Sequence, residues 1–173
     1  MQSVKLSNGG QINFEERPAK RGQLDHFSFR LPMAMVHVSH AGEVVISIEL
    51  SAIRAPASSL TAQQRRIARS IEELWRGKPQ SLTLQGPLSE FATSVWQALG
   101  TLSPGTTISY THLAELAGNP KAARAVARVM SQNSYALVLP CHRVIGKSGA
   151  LTGYRWGEDI KSALIEFEQH QLA

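Results

Sequence analysis

Apolar and polar residues alternate through "AMVHVSHAGEVVISIEL" (34–50), where Val44, Ile46 and Ile48 recur with the period-two spacing of a half-buried strand. Ala41-Gly42 offers the turn, so this segment predicts a hairpin. The period changes in "TAQQRRIARSIEELWRG" (61–77): Ile67, Ile71 and Leu74 fall on one helical face, Thr61 can cap it and Gly77 can end it. "SLTLQG" then gives a short strand, and Gly86-Pro87 breaks regular structure. The boundary between a small amino-terminal α/β domain (1–86) and a more helical carboxyl-terminal domain (87–173) is therefore placed there. In "SEFATSVWQALG" (89–100), Phe91, Val95, Trp96 and Leu99 form a helical core stripe.

The segment "SYTHLAELAGNPKAARAVARVMSQN" (109–133) predicts two short helices. Ser109 caps the first, Leu113 and Leu116 face inward, and Gly118 allows the sharp turn. Asn119 is a favoured cap for the second, with Pro120 at its first helical position. Two such helices joined by a Gly-Asn turn make a helix-turn-helix, or an ordinary helical hairpin in a packed domain. Lys121, Ala122, Arg124 and Arg128 are expected outward, Val126 and Met130 inward. Small alanines at 122 and 123 would let the helix axis approach a groove closely. The apolar run "ALVL" (136–139) reads as a buried strand leading to Cys141.

Composition narrows the chemistry. The chain has 173 residues, 43% of them apolar, enough for one core or two small domains sharing a boundary. Its beginning, "MQSVKLSNGGQINFEERP", lacks the apolar centre of a signal peptide, and no stretch reaches the length of a membrane span. A cytoplasmic location is expected, or a nuclear one in a eukaryote. A single cysteine cannot form an internal disulfide or a thiolate-rich zinc site, so neither metal nor cofactor is expected. His37 and His40, three apart on a strand, point to opposite faces and read as surface or turn residues. Between Tyr110 and Lys147 the bases Lys121, Arg124, Arg128, Arg143 and Lys147 face only Glu115, within a net charge of +5. That balance suits a polyanion such as nucleic acid, or a solvated basic face.

The lone thiol lies in "PCHRV", preceded by "NPKAARAV" and followed by "GYRWG". In this order the motifs resemble the O6-alkylguanine-DNA alkyltransferases, densely from Phe91 to about Glu168 and weakly before Gly86. The resemblance implies an α/β (α+β) fold: a small amino-terminal α/β domain with a hairpin-containing sheet, packed on a helical domain that holds the helix-turn-helix and the active site. It implies a monomer that acts on double-stranded DNA carrying O6-alkylguanine, and on O4-alkylthymine. The alkyl group passes once and irreversibly to the protein's own cysteine. A thiol at neutral pH is mostly protonated and needs activation, for which His142 is the adjacent base. In the family this histidine acts through an ordered water and is oriented by a glutamate matching Glu168.

Further roles follow by resemblance. Tyr110 matches the tyrosine that crowds the target phosphate and donates toward the leaving base, and Arg124 the arginine that fills the vacated stack. Ala122, Ala123 and Arg128 complete the expected DNA contact. The pocket is expected from Met130, Asn133, Ala136, Val144, Leu151, Tyr154, Arg155, Trp156 and Lys161. Asn133 matches the asparagine linking the recognition helix to the active-site segment, and Lys161 the lysine behind the pocket. Two departures stand out. The chain has Ala127, Arg128 and Val129 where small residues are common, and Ala136 and Trp156 where members that accept free O6-benzylguanine tend to have proline and glycine. The bulk of Trp156 is expected to crowd the pocket mouth and favour small alkyl groups. One thiol also leaves no room for the phosphotriester-repair module of Ada, so a stand-alone repair type is expected. The alternatives are a non-catalytic alkylated-DNA damage-binding protein and a helix-turn-helix transcription regulator. The first lacks the reactive cysteine, and the second needs neither Cys-His nor "GYRWG". A cysteine hydrolase would want an oxyanion hole and the local signatures that this chain lacks.

Overall fold

The predicted hairpin of residues 34–50 forms within a six-stranded mixed sheet, one strand in from its edge. The computed structural model describes residues 2–16, 23–54, 56–86 and 88–172. Its amino-terminal strands are β1 (Gln2–Lys5), β2 (Gln11–Glu15), β3 (Asp25–Arg30), β4 (Met35–Ala41), β5 (Val44–Ser51) and β6 (Ser81–Gln85), in the order β1-β2-β6-β5-β4-β3. Strands β4 and β5 pair antiparallel with a bulge at Ser39/His40. His37 bonds Ser28 and Ser51 on one face, and His40 is buried on the other with Nδ1 on the Gly42 carbonyl.

Helix α1 (Ala62–Trp75) carries the chain from β5 to its parallel neighbour β6, making a βαβ unit. Thr61 and Gln64 form a reciprocal capping box at its start. Ile67, Ala68, Ile71, Leu74 and Trp75 form the buried stripe. Beyond Gly77, in the left-handed region at φ 77°, the chain turns into β6.

Pro87 lies outside the described residues, and regular structure pauses around Gly86 before Ser89 caps α2 (Glu90–Gly100). Gln97 fastens α2 to β1, accepting from the Lys5 N–H at 3.0 Å and donating to the Lys5 carbonyl at 2.9 Å. Gly100 is required there: a Cβ would meet the Lys5 carbonyl oxygen at 3.0 Å. Ser109 caps α3 (Tyr110–Leu116) as expected, accepting from the His112 N–H.

The second helix starts later than Asn119-Pro120 suggests. α4 runs Ala123–Ser131, with Ala122 as its cap and no capping side chain. The Asn119 N–H is used to end α3, donating to the Ala114 carbonyl, and the Asn119 carbonyl holds the following turn through Ala122. Val126 and Met130 are buried, whereas Lys121, Arg124 and Arg128 are exposed, as the pattern implies.

The run 136–139 is not a strand. Only Tyr135 pairs in sheet fashion, with Ile48 of β5, after which Val138 donates to Ala136 and Leu139 to Tyr135 in successive tight turns. Leu137 sits at φ 72°, a conformation costing about 1–2 kcal/mol for a residue with a Cβ. Burial of all four side chains holds it there. Apolar content alone could not separate a buried strand from a buried coil. The chain closes with the short parallel pair β7 (Ile108–Ser109) and β8 (Val144–Ile145), helix α5 (Glu158–Phe167) and a π turn from Glu168 to Leu172. No helix among the described residues is long and apolar enough to cross a membrane.

Candidate active site

The turns at 136–139 deliver Cys141 into a single 3-10 turn, Cys141–Arg143, directly after Pro140. The thiol is 5% exposed, at the base of a cleft whose walls come from Tyr110 of α3, Ala127 and Met130 of α4, and Gly153, Tyr154 and Arg155 of the following loop, with Lys161 behind. Asn133, just past α4, donates from Nδ2 to the Leu139 carbonyl at 2.9 Å and to Cys141 Sγ at 3.2 Å. Its Oδ1 accepts from the Tyr135 N–H at 2.9 Å. One carboxamide thus links the end of the cationic helix to the turn that carries the thiol.

Burial pushes the Cys141 thiol up from its ordinary value, while the Asn133 hydrogen bond and the charge of Lys161 pull the other way. The thiol therefore rests protonated at neutral pH and needs a base. The adjacent His142 is fully buried, and its Nε2 meets Glu168 Oε1 at 2.6 Å. A carboxylate only accepts, so Nε2 carries the hydrogen and Nδ1 is the basic nitrogen, without a protein hydrogen-bond partner. Burial holds the His142 pKa below its ordinary value, against the pull of Glu168, so the ring is neutral and available to take a proton.

Glu168 is held from several sides at once. Besides His142, it accepts from Trp75 Nε1 at 2.9 Å, from Arg143 Nε at 3.0 Å and its NH2 group at 3.1 Å, and from the Gly105 N–H at 3.0 Å. Burial alone would raise this carboxyl. His142 and Arg143 more than offset that and hold it well below the usual carboxylate range. Trp75 brings the end of α1, an element of the amino-terminal half, into the site. Lys161 donates to the Val144 carbonyl at 2.6 Å and lies over the Tyr154 ring at 5.5 Å. Burial lowers its pKa and raises those of Tyr110 and Tyr154, so both phenols keep their protons at neutral pH.

Of the residues the sequence nominated, His142 and Glu168 are hydrogen-bonded to each other with His142 next to Cys141 in the chain, and Tyr110, Met130, Tyr154, Arg155 and Lys161 surround the thiol. Asn133 lies behind it, and Val144 serves through its carbonyl. Ala136, Leu151 and Trp156 do not line the cleft. Ala136 is fully buried with its N–H on the Ile48 carbonyl, and the Trp156 indole is tied to Glu49. Arg124 and Arg128 are exposed on the outer side of α4, whereas Ala122 at its cap and Ala123 in its first turn are half-buried. Sequence reasoning missed Trp75, Gly105 and Glu49, and it counted Arg143 among the bases facing a polyanion, whereas that side chain is buried and paired with Glu168. An aromatic residue closing the apolar stripe of α1 and the arginine next to His142 were the only signals, and a backbone amide such as that of Gly105 leaves none.

Fold and site together define a protein that keeps one buried thiol beside a histidine–carboxylate pair, close to a cationic helix. The family described as "6-O-methylguanine DNA methyltransferase, DNA binding domain" matches residues 90–170. The chain is 42% identical over 110 residues to a methylated-DNA–protein-cysteine methyltransferase of Methanosarcina barkeri, covering 62% of this chain and 70% of that protein. It is 49% identical over 81 residues to the protein of that name from Kluyveromyces lactis, covering 47% of this chain and 43% of the relative, so it spans less than half of that relative's length. The solved structure of Mycobacterium tuberculosis OGT in complex with DNA superposes with a TM-score of 0.65 at 29% identity, covering 83% of this chain and 92% of that one. The chain belongs to the methylated-DNA–protein-cysteine methyltransferase family.

Proposed function

We propose that the protein repairs alkylated DNA by moving an alkyl group from O6 of guanine, or O4 of thymine, onto Cys141 in a single irreversible turnover. The observation that carries this reading is the placement of the chain's only cysteine, buried under the cationic helix and beside a neutral histidine whose free nitrogen is set by Glu168. A sulfur–carbon bond forms as the carbon–O6 bond breaks and its electron pair goes to the base. His142 Nδ1 removes the thiol proton, Tyr110 supplies a proton toward the departing guanine, which leaves with a hydrogen on N1, and solvent carries the proton from His142 back to the Tyr110 phenolate. Across the cycle the thiol hydrogen has replaced the alkyl group. The thioether has no second nucleophile to release it, which makes the reaction stoichiometric.

A stacked guanine hides its O6 substituent, so the base must leave the duplex. α3 and α4 act here as a helix-turn-helix, with Ala122 and Ala123 allowing close approach, Arg124 entering the vacated stack and Arg128 meeting phosphate. The exposure of Arg124 and Arg128, neither of them in an ion pair among the described residues, supports this role. Intact-protein mass after mixing with duplex DNA containing O6-methylguanine tests the reading. One methyl group should be added at Cys141, and Cys141→Ser should abolish transfer while DNA binding persists. An unmodified protein that still binds the lesion selectively would establish damage binding instead.

A further inference from the structure

The loop that walls the cleft is anchored on the other half of the molecule. Trp156 Nε1 donates to Glu49 Oε2 at 2.7 Å, and the Arg155 NH2 group reaches Glu49 Oε1 at 3.5 Å. Glu49 belongs to β5, on the partly exposed face between the buried Ile48 and Leu50. The indole stands edge-on to Tyr154, at 5.4 Å and 74°, and Arg155 lies over it at 5.5 Å. Arg155 also donates to the Asn133 carbonyl at 3.0 Å. A single carboxylate on the sheet therefore fixes two consecutive side chains of the rim, one packed on the cleft wall and one bonded to the residue that touches the thiol. Gly153 and Gly157, at φ 80° and 102°, bracket the segment, and the Gly157 N–H closes its turn on the Tyr154 carbonyl at 3.1 Å, so the backbone is set while the indole direction is left to its side-chain contacts.

We propose that Glu49 is a positioning residue that holds Trp156 clear of the mouth of the Cys141 cleft, with Arg155 kept in the cleft wall, and thereby sets how large an alkyl group can enter. An indole N–H seeks a partner when its ring is half-buried, and Glu49 supplies a charged one. Without it the ring is free to leave its edge-on seat on Tyr154 by rotating about its own side-chain torsions, and to narrow the opening. Methyl groups would still pass and bulky groups would be slowed. Discrimination by size is then a property of the contact between the halves as much as of the bulk of Trp156. The inference rests on the proposed repair reaction for its substrate, and not for the rim geometry.

Two arms keep the claims separable. In the first, without DNA, Cys141 as the only thiol is modified by iodoacetamide and by a bulky N-benzylmaleimide, followed by intact mass. Glu49→Ala should slow the bulky reagent about tenfold relative to iodoacetamide, as expected for loss of one charge-assisted hydrogen bond. Glu49→Gln, which keeps an acceptor for the indole, should stay near the parent protein. Trp156→Phe should reproduce Glu49→Ala, and in a Trp156→Ala background Glu49→Ala should have no further size-dependent effect. In the second arm, duplexes carrying O6-methylguanine and O6-benzylguanine should show the same ordering. Equal slowing of both reagents, no slowing, or the same effect in the Trp156→Ala background would overturn the role of Glu49. Failure of the parent protein to accept methyl from DNA would overturn the repair reaction and leave the first arm to decide on Glu49.

Discussion

Replacing Glu168 with glutamine removes one negative charge while keeping the shape of the side chain, and the consequences can be worked out contact by contact. The carboxylate accepts from Trp75, His142, Arg143 and the Gly105 amide. An amide offers one accepting oxygen and turns an NH2 group toward donors that cannot receive it. The buried Arg143 guanidinium loses its counter-charge and one of its two bonds to the side chain, keeping the amide oxygen and the Leu102 carbonyl at 3.2 Å. Removing one partner from a buried ion pair costs about 3–5 kcal/mol. At about 2–4 °C per kcal/mol for a chain of this size, the melting temperature should fall by roughly 10 °C. The acid limb supplies a second check. Glu168 has a carboxyl held below its ordinary 4.5, so its stabilisation is fully present above that pH and is lost as the pH falls through the depressed value. Calorimetry across the acid range should therefore show parent and variant converging below pH 4.5. A fall of less than about 2 °C at neutral pH, or a gap that stays constant into acid, would refute the argument that this carboxylate is a charged structural hub. Transfer to Cys141 should also slow by about a hundredfold, the lower range for losing general-base assistance, because the amide no longer fixes the proton on His142 Nε2.

Arg124→Ala should sharply reduce transfer from duplex DNA while changing reaction with a free modified base little. Single-turnover rates on both substrates measure this, and equal losses would assign Arg124 to the fold or the active site. Asn133→Ala removes the donor on Cys141 Sγ and the acceptor for the Tyr135 N–H. It should cost about 2–4 kcal/mol in denaturant unfolding as buried groups lose their partners, and move the pH profile of iodoacetamide modification to higher pH. An unchanged profile would show that the Asn133 contact does not tune the thiol.

The parts of the fold that follow from periodicity were legible in the sequence. The alternation through 44–48 marks a strand, although a register shift against β4 puts Val45, Ile48 and Leu50 rather than Val44 and Ile46 in the core, and Thr61 and Ser109 mark helix starts because their hydroxyls satisfy free amides. Asn119 and the 136–139 run were misread for a shared reason. A good capping residue was committed to closing the helix before it, and an apolar run was buried in a conformation that only tertiary packing supports. The reacting pair was legible because Cys141 and His142 are adjacent, and Glu168 through the resemblance that spaces it from "GYRWG". Trp75, Gly105 and Glu49 reach the site from distant elements, and no local pattern signals a contact that the fold alone creates.

Strand β5 is covered by β6 only at Val44 and Val45, and farther along its edge Ile48 exchanges backbone hydrogen bonds with residues 134 and 136. A nascent chain completes the six-stranded sheet long before Ser134 leaves the ribosome. Until then, the N–H and C=O of Ile48 form an uncovered docking point for any extended strand nearby. A premature stop codon within α2 or α3 would leave that edge bare for good. The truncated product would then be prone to aggregate with its own copies, whereas the full-length protein covers the edge with the segment that carries its thiol.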